Sequence, residues 1–171
     1  MTTSTTEPAP IPSFDDAVSS RRKLCIICSK GSLDMAYPGL VLANAALGEG
    51  VETHMFFTFW GFDMINKHTM AHLSFSPMGN PATHMPMSLT ALPGVTSFAT
   101  HMMKKQIEGI DVPDVPEFLE MITDAGGHLW ACRMSADMMH LQQSDLYERV
   151  EGIISASDFI ELSAGAQTIF I

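Results

Sequence analysis

Three times along this chain a short strand-like run gives way to a helical stretch and then to another such run, and that alternation decides the fold class. "KLCIICS" at 23–29 is a short β-type run. "KGSLDMAYPGLVLANAALGEG" follows as a turn and helix, with Ser32 or Asp34 as N-cap and Gly48 or Gly50 as its stop. Pro38 is awkward inside that helix and predicts an irregular or delayed first turn. "VETHMFFTFW" at 51–60 is the second strand. A strand, helix and strand within about thirty residues form a βαβ unit, whose right-handed crossover makes the strands parallel.

The back half repeats the scheme. "DVPEFLEMITDAGG" pairs a D-x-x-E capping signal, Asp114 to Glu117, with apolar Phe118, Leu119 and Ile122 and a glycine stop. "HLWAC" is the third strand, and Ser135 is the expected N-cap of the helix beginning "SADMMHLQ". "VEGIIS" is a fourth strand, "SASDFIELSAG" a helix capped by Ser155 or Ser157, and "QTIFI" a fifth strand. The expectation is an α/β domain, a three-layer α/β/α sandwich around a mostly parallel five-stranded sheet, over residues 23–171. Strand order does not follow from these patterns. Residues 1–22, rich in Thr, Ser and Pro, read as a flexible N-terminal arm.

Charge sets the next limits. Hydrophobic residues make up 46% of the chain and charged ones 16%, too few to cover a monomer's surface, so part of it is expected against another subunit. A net charge of −10 repels phosphate backbones and argues against nucleic acid as a partner. From His68 to Met103 no Asp, Glu, Lys or Arg occurs, and Pro77, Pro81, Pro86 and Pro93 interrupt the segment. It is too broken to span a membrane, which needs ~20 mostly apolar residues. Segment 68–103 is therefore expected to face a second subunit in a homo-oligomer, with peripheral membrane contact as the alternative. Arg21 and Arg22 imitate a twin-arginine export signal, but the apolar run after them is shorter than the ~7–15 residues such a signal needs. The three cysteines form no disulfide framework and read as cytoplasmic thiols.

Cys132 is the candidate for chemistry. It closes the third strand, and ligands of open α/β sheets bind at the carboxyl ends of strands. Arg133 follows directly, and a helix N-terminus is expected beside it near Ser135; both favour thiolate over thiol. The competing reading is a small buried hydrophobe. Lys30 and Asp34, in the turn after strand one, are weaker candidates on the same rim. That turn lacks the glycine spacing of a nucleotide loop. Cys25 and Cys28 are spelled C-x-x-C but lie in one strand, where residues three apart point to opposite faces. Cys25 reads as core. Cys28, at the strand's carboxyl end, is a secondary thiol candidate whose simpler role is also packing. His-Met pairs at 54–55, 84–85 and 101–102 suit Cu(I), yet among 14 methionines with no regular array packing is the better account. No metal site and no cofactor are expected.

Five blocks together resemble the DsrE/DsrF-like sulfur-transfer family, in its stand-alone branch often labelled peroxiredoxin-like. They are "SKGSLDMAYPGLVLANAA", "MFFTFWG", "VPDVPEFL", "ACRMSADMM" and "VEGIISASDFIELSAGAQTIFI", and the likeness runs over roughly residues 23 to 171. The resemblance implies a flavodoxin-like fold, oligomers, and relay of sulfane sulfur as a cysteine persulfide in the cytoplasm. It places the sulfur-accepting cysteine on Cys132, with sulfur-donor and sulfur-acceptor proteins or small sulfane-sulfur compounds as partners. Other members carry their active cysteine in the mid-chain loop; this chain has none between Ser29 and Ala131. The Thr-x-x-Cys arrangement of a peroxidatic site is absent around Cys132. The expected function is a stoichiometric persulfide carrier or a sulfurtransferase. Its rivals are an oligomeric or membrane-surface adaptor for a redox complex, in which Cys132 is structural, and a Cu(I)-handling protein.

Overall fold

The structure, a computed structural model, describes residues 22–75 and 94–171. The proposed arm up to residue 21 and the middle of the uncharged segment, 76–93, lie outside the described residues.

Five strands form one sheet: β1 (Lys23–Cys28), β2 (Glu52–Phe57), β3 (His128–Cys132), β4 (Val150–Ile154) and β5 (Gln167–Phe170). The order across it is β4-β3-β2-β1-β5, and every neighbouring pair is parallel. Five helices connect them: α1 (Leu33–Gly48), α2 (Val95–Glu108), α3 (Val115–Asp124), α4 (Arg133–Met139) and α5 (Ala156–Leu162). The fold is the three-layer α/β arrangement that the alternation implies, of the flavodoxin-like kind that the family resemblance implies.

Alternation along the strands assigns the faces. A Cβ added at Gly39 of α1 would lie 3.2 Å from Cys28 Sγ and 3.7 Å from Met55 Cε, so these two side chains point toward α1. Helix α3 packs beside α1 on that face, burying Phe118, Leu119 and Ile122. Phe56, one residue on from Met55, points the other way and stacks its ring on Phe159 of α5 at 4.3 Å between centroids. The core thus lies on both sides of the sheet: Ile26, Met55, Phe57 and Leu129 are fully buried on the α1 face, and Cys25, His54 and Phe56 are buried on the other.

Side chains cap two of the five helices, α3 and α5; Ser32 is the N-cap of α1 by position only, without a side-chain bond, and the N-cap of α2 is Gly94. Asp114 Oδ1 accepts from the Glu117 N–H at 2.9 Å, as predicted. Ser155, not Ser157, caps α5, in a reciprocal box with Asp158. Pro38 sits exposed within α1 without breaking it. The expected cap Ser135 is displaced: α4 begins at Arg133 with Cys132 as its N-cap, and Ser135 lies inside the first turn, fully buried.

Two further expectations need correction. The second strand ends at Phe57 rather than Trp60, because the chain turns into a 3-10 helix over Phe59–Met64. The uncharged segment is not all surface for a partner. Met70 and Leu73 are buried in the chain's own core, and residues from Val95 onward form α2, which places Phe98 and Met102 in solvent. Among the described residues no helix is long and apolar enough to cross a membrane.

Candidate functional site

The carboxyl ends of β1, β2 and β3 meet along one rim, and backbone contacts fix their relative positions. The Thr58 N–H donates to the Cys28 carbonyl at 3.0 Å, extending the β1–β2 ladder past its last pair. A Cβ at Gly61 would come within 2.0 Å of that same carbonyl oxygen, and one at Gly31 within 2.2 Å of the Trp60 carbonyl. Only glycine allows the turns after β1 and β2 to interlock this closely.

Ser135 joins that turn to α4. Its Oγ accepts from the Phe59 N–H at 2.8 Å and lies 3.2 Å from Thr58 Oγ1, so both hydroxyls are satisfied. Phe59 is held at a φ of 46°, a left-handed conformation that costs a non-glycine residue roughly 1–2 kcal/mol. This strain sits beside the turn that carries Cys132. Thr58, Phe59 and Trp60 were missed in the sequence, where they read as the end of a strand. The glycine directly after them was the available signal of a turn.

Cys132 occupies the junction of β3 and α4, paired in register with Ile154 of β4, and is 6% exposed. Arg133 lies in solvent beside it, its guanidinium donating to the Ile153 carbonyl at 2.7 Å. The charge is therefore held next to the junction by the neighbouring strand. Exposed apolar side chains flank the same region: Met134 and Met138 on α4, Phe59 and Trp60 on the turn after β2.

The other two cysteines differ in kind. All three are free thiols. Cys28 packs against Gly39, and burial pushes its thiol up to about 12, so it stays protonated near neutrality. Cys25 has no exposed surface, and burial raises its thiol as well. Of the predicted residues, Cys132, Arg133 and Ser135 come together. Lys30 lies across β2 from them, lining a cleft on the same rim, while Asp34 lines a separate groove between α1 and α2. Of the His-Met pairs, His54 and Met55 point to opposite faces of the sheet and so cannot share one ion. His84 and Met85 lie outside the described residues.

A polar cluster the sequence did not reveal lies on the α5 face of the sheet. The rings of His54 and His128 stack at 4.5 Å. Trp130 Nε1 donates to His54 Nδ1 at 3.2 Å, which leaves the proton on Nε2, 3.0 Å from Glu52 Oε1. His54 is thus a neutral imidazole, and burial holds its pKa down against the pull of Glu52. Hydrogen bonds from His54 and Lys23 lower the Glu52 carboxyl to about 2.

Comparison with known proteins gives consistent results. The sequence profile of the DsrE/DsrF/DrsH-like family matches residues 20–170. The sulfur carrier protein DsrE2 of Allochromatium vinosum is 35% identical over 147 residues, covering 81% of this chain and 91% of that protein. The uncharacterized protein YrkE of Bacillus subtilis is 25% identical over 160 residues, covering 88% and 97%. Among solved structures, MTH1491 of Methanobacterium thermoautotrophicum, a protein of unknown function, superposes with a TM-score of 0.54 at 10% identity. The ychN protein of E. coli gives 0.53 at 13%. Each comparison covers 88% of this chain and 99% of the other, and at these identities the likeness is one of fold.

Proposed function

The chain belongs to the DsrE/DsrF/DrsH-like family, and from that membership we propose that it carries sulfane sulfur as a persulfide on Cys132. The observation that carries this reading is the contrast among the three thiols. Burial raises the thiols of Cys25 and Cys28 within β1, whereas Cys132, 6% exposed, caps the junction of β3 and α4 with exposed Arg133 next in sequence. The similarity to a protein named as a sulfur carrier supports the same chemistry.

Loading is a displacement at sulfur. The Cys132 thiolate attacks the outer sulfur of a donor such as thiosulfate; a new S–S bond forms, the donor's S–S bond breaks, and sulfite leaves with the electron pair. In unloading, an acceptor thiol attacks the terminal sulfur, takes it as its own persulfide, and its proton passes to the Cys132 thiol. Neither step needs an outside oxidant or reductant. Arg133 stabilises the anionic sulfur, and Ser135 positions the turn around it. Exposed Phe59, Trp60, Met134 and Met138 suit the docking of donor and acceptor proteins. The carrier works in the cytoplasm as a homo-oligomer.

Intact-mass spectrometry after incubation with polysulfide tests this. Wild-type protein is expected to gain about 32 Da per sulfur atom, and Cys132→Ser to gain none. Equal loading of the variant would move the site to another residue. No loading of either protein would favour the adaptor reading, with Cys132 structural.

A further inference from the structure

A second feature of the rim is a cleft of about 460 Å³ between the turn after β1 and the 3-10 turns that follow β2. Lys30, Trp60, Asp63, His68 and His72 line it. Among the described residues, none of the side chains of Lys30, Asp63, His68 and His72 has a hydrogen-bond or ion-pair partner. Asp63 is half-buried, and burial raises its carboxyl, as expected for an acid without a cation beside it. Three basic side chains and one acid thus gather in one concavity of a chain whose net charge is −10.

The pattern is selective. Among the described residues no three His, Cys, Asp or Glu side chains converge closely enough to hold a metal ion. The volume lies in the range of pockets that take organic molecules, ~300–1,000 Å³, and a bare inorganic anion would leave most of it empty. Trp60, 61% exposed, offers an indole wall for methylene groups, and buried Leu73 an apolar floor. Hydrogen bonds tie the walls together: the Leu33 N–H donates to the Ser74 carbonyl at 2.9 Å, and Thr69 Oγ1 donates to the Asp63 carbonyl at 2.8 Å.

We infer that this cleft binds a small zwitterionic thiol, an amino acid or short peptide whose carboxylates meet Lys30 and the histidines and whose ammonium meets Asp63. The inference rests on the reading of Cys132 as a sulfur carrier only for its purpose. On that reading a thiol bound here, separated from Cys132 by β2 and its following turn, is a sulfur acceptor once it reaches the persulfide: its S–H attacks the terminal sulfur, one S–S bond forms as the other breaks, and the proton ends on Cys132. Run in reverse, the bound persulfide is the donor.

The probe is S-methylglutathione, which carries the charges without an exchangeable thiol, titrated calorimetrically into the full chain. Saturable one-to-one binding is expected, weakened about tenfold by Lys30→Ala and by Asp63→Asn, the loss of one charged contact each. Thermal melts establish that both variants are folded. Absence of saturable binding by the wild type, or unchanged binding by the two folded variants, overturns the inference. Binding of thiosulfate without S-methylglutathione also overturns it and makes the cleft an inorganic-anion site. Cys132→Ser is expected to bind the probe as the wild type does, so failure of persulfide loading and failure of the cleft are read independently.

Discussion

Single residues carry most of what is specific about this rim. Ser135 accepts the Phe59 N–H that holds a strained turn, and Ser135→Ala would leave that N–H with no acceptor. The expected cost is about 1–3 kcal/mol, read as a lower Tm, together with slower loading of Cys132 as the turn loosens. An unchanged Tm would mean that water replaces the hydroxyl. On the other face of the sheet, His54 and Glu52 make stability depend on pH in two stages. His54 is depressed below its ordinary 6.5, so below that value the unfolded chain binds a proton that the folded chain resists, and stability falls. Glu52 is held at about 2 against an ordinary 4.5; its contribution is present above 4.5 and is lost as pH falls toward 2. Urea midpoints measured against pH should show both losses, and His54→Gln should remove the upper one. A flat profile through the upper stage would show that His54 titrates alike in both states. The position of Cys132 at the end of a strand was legible in the sequence because "HLWAC" is a short apolar run after two glycines. The capping role given to Ser135 was not, because a serine in the first turn of a short helix looks like a cap unless its partner, 76 residues earlier, is known.

At the scale of elements, the strands and the helices that cap themselves were readable, since each carries its own signal in hydrophobic period and end residues. The 3-10 turn after β2 was hidden because "FFTFW" is as strand-like as the residues before it; what ends the strand is the tertiary demand that Gly61 lie against Cys28. Helix α2 was hidden inside an uncharged stretch that offered no amphipathic contrast at its start. The interlock between the turns gives a sharp expectation. Gly61→Ala would drive a methyl group into the Cys28 carbonyl, against backbone rather than a yielding side chain. Overpacking of ordinary cores costs typically ~1–3 kcal/mol, and here the loss should reach the upper part of that range or exceed it. Gly48→Ala serves as the control, since nothing lies within 4 Å of its added methyl. Equal melting of the two variants would show that the turn can move aside.

For the whole molecule, the proposed oligomer can be tested on one exposed apolar face. Helices α1 and α2 border a groove of about 650 Å³, with Val41, Leu42 and Ile110 exposed along it and Phe98 and Met102 elsewhere on α2 also in solvent. If this face joins subunits, Leu42→Asp should convert the oligomer to monomer in light scattering, while Ile160→Asp at an exposed position of α5, on the opposite face of the sheet, should not. A wild-type monomer would remove the oligomer from the proposal. Strand order was the part of the architecture that no local pattern could supply, because it depends on which edge the last crossover reaches. That crossover puts β5 beside β1, where the Ser29 hydroxyl donates to the Ile171 carbonyl, 142 residues away. A ribosome makes β1 early and β5 late, so throughout synthesis one flank of β1 remains an open template for any passing strand. Protection of that flank during translation falls to chaperones or to the speed of the final docking step, and folding of this chain should be paced by its slowest, most distant pairing.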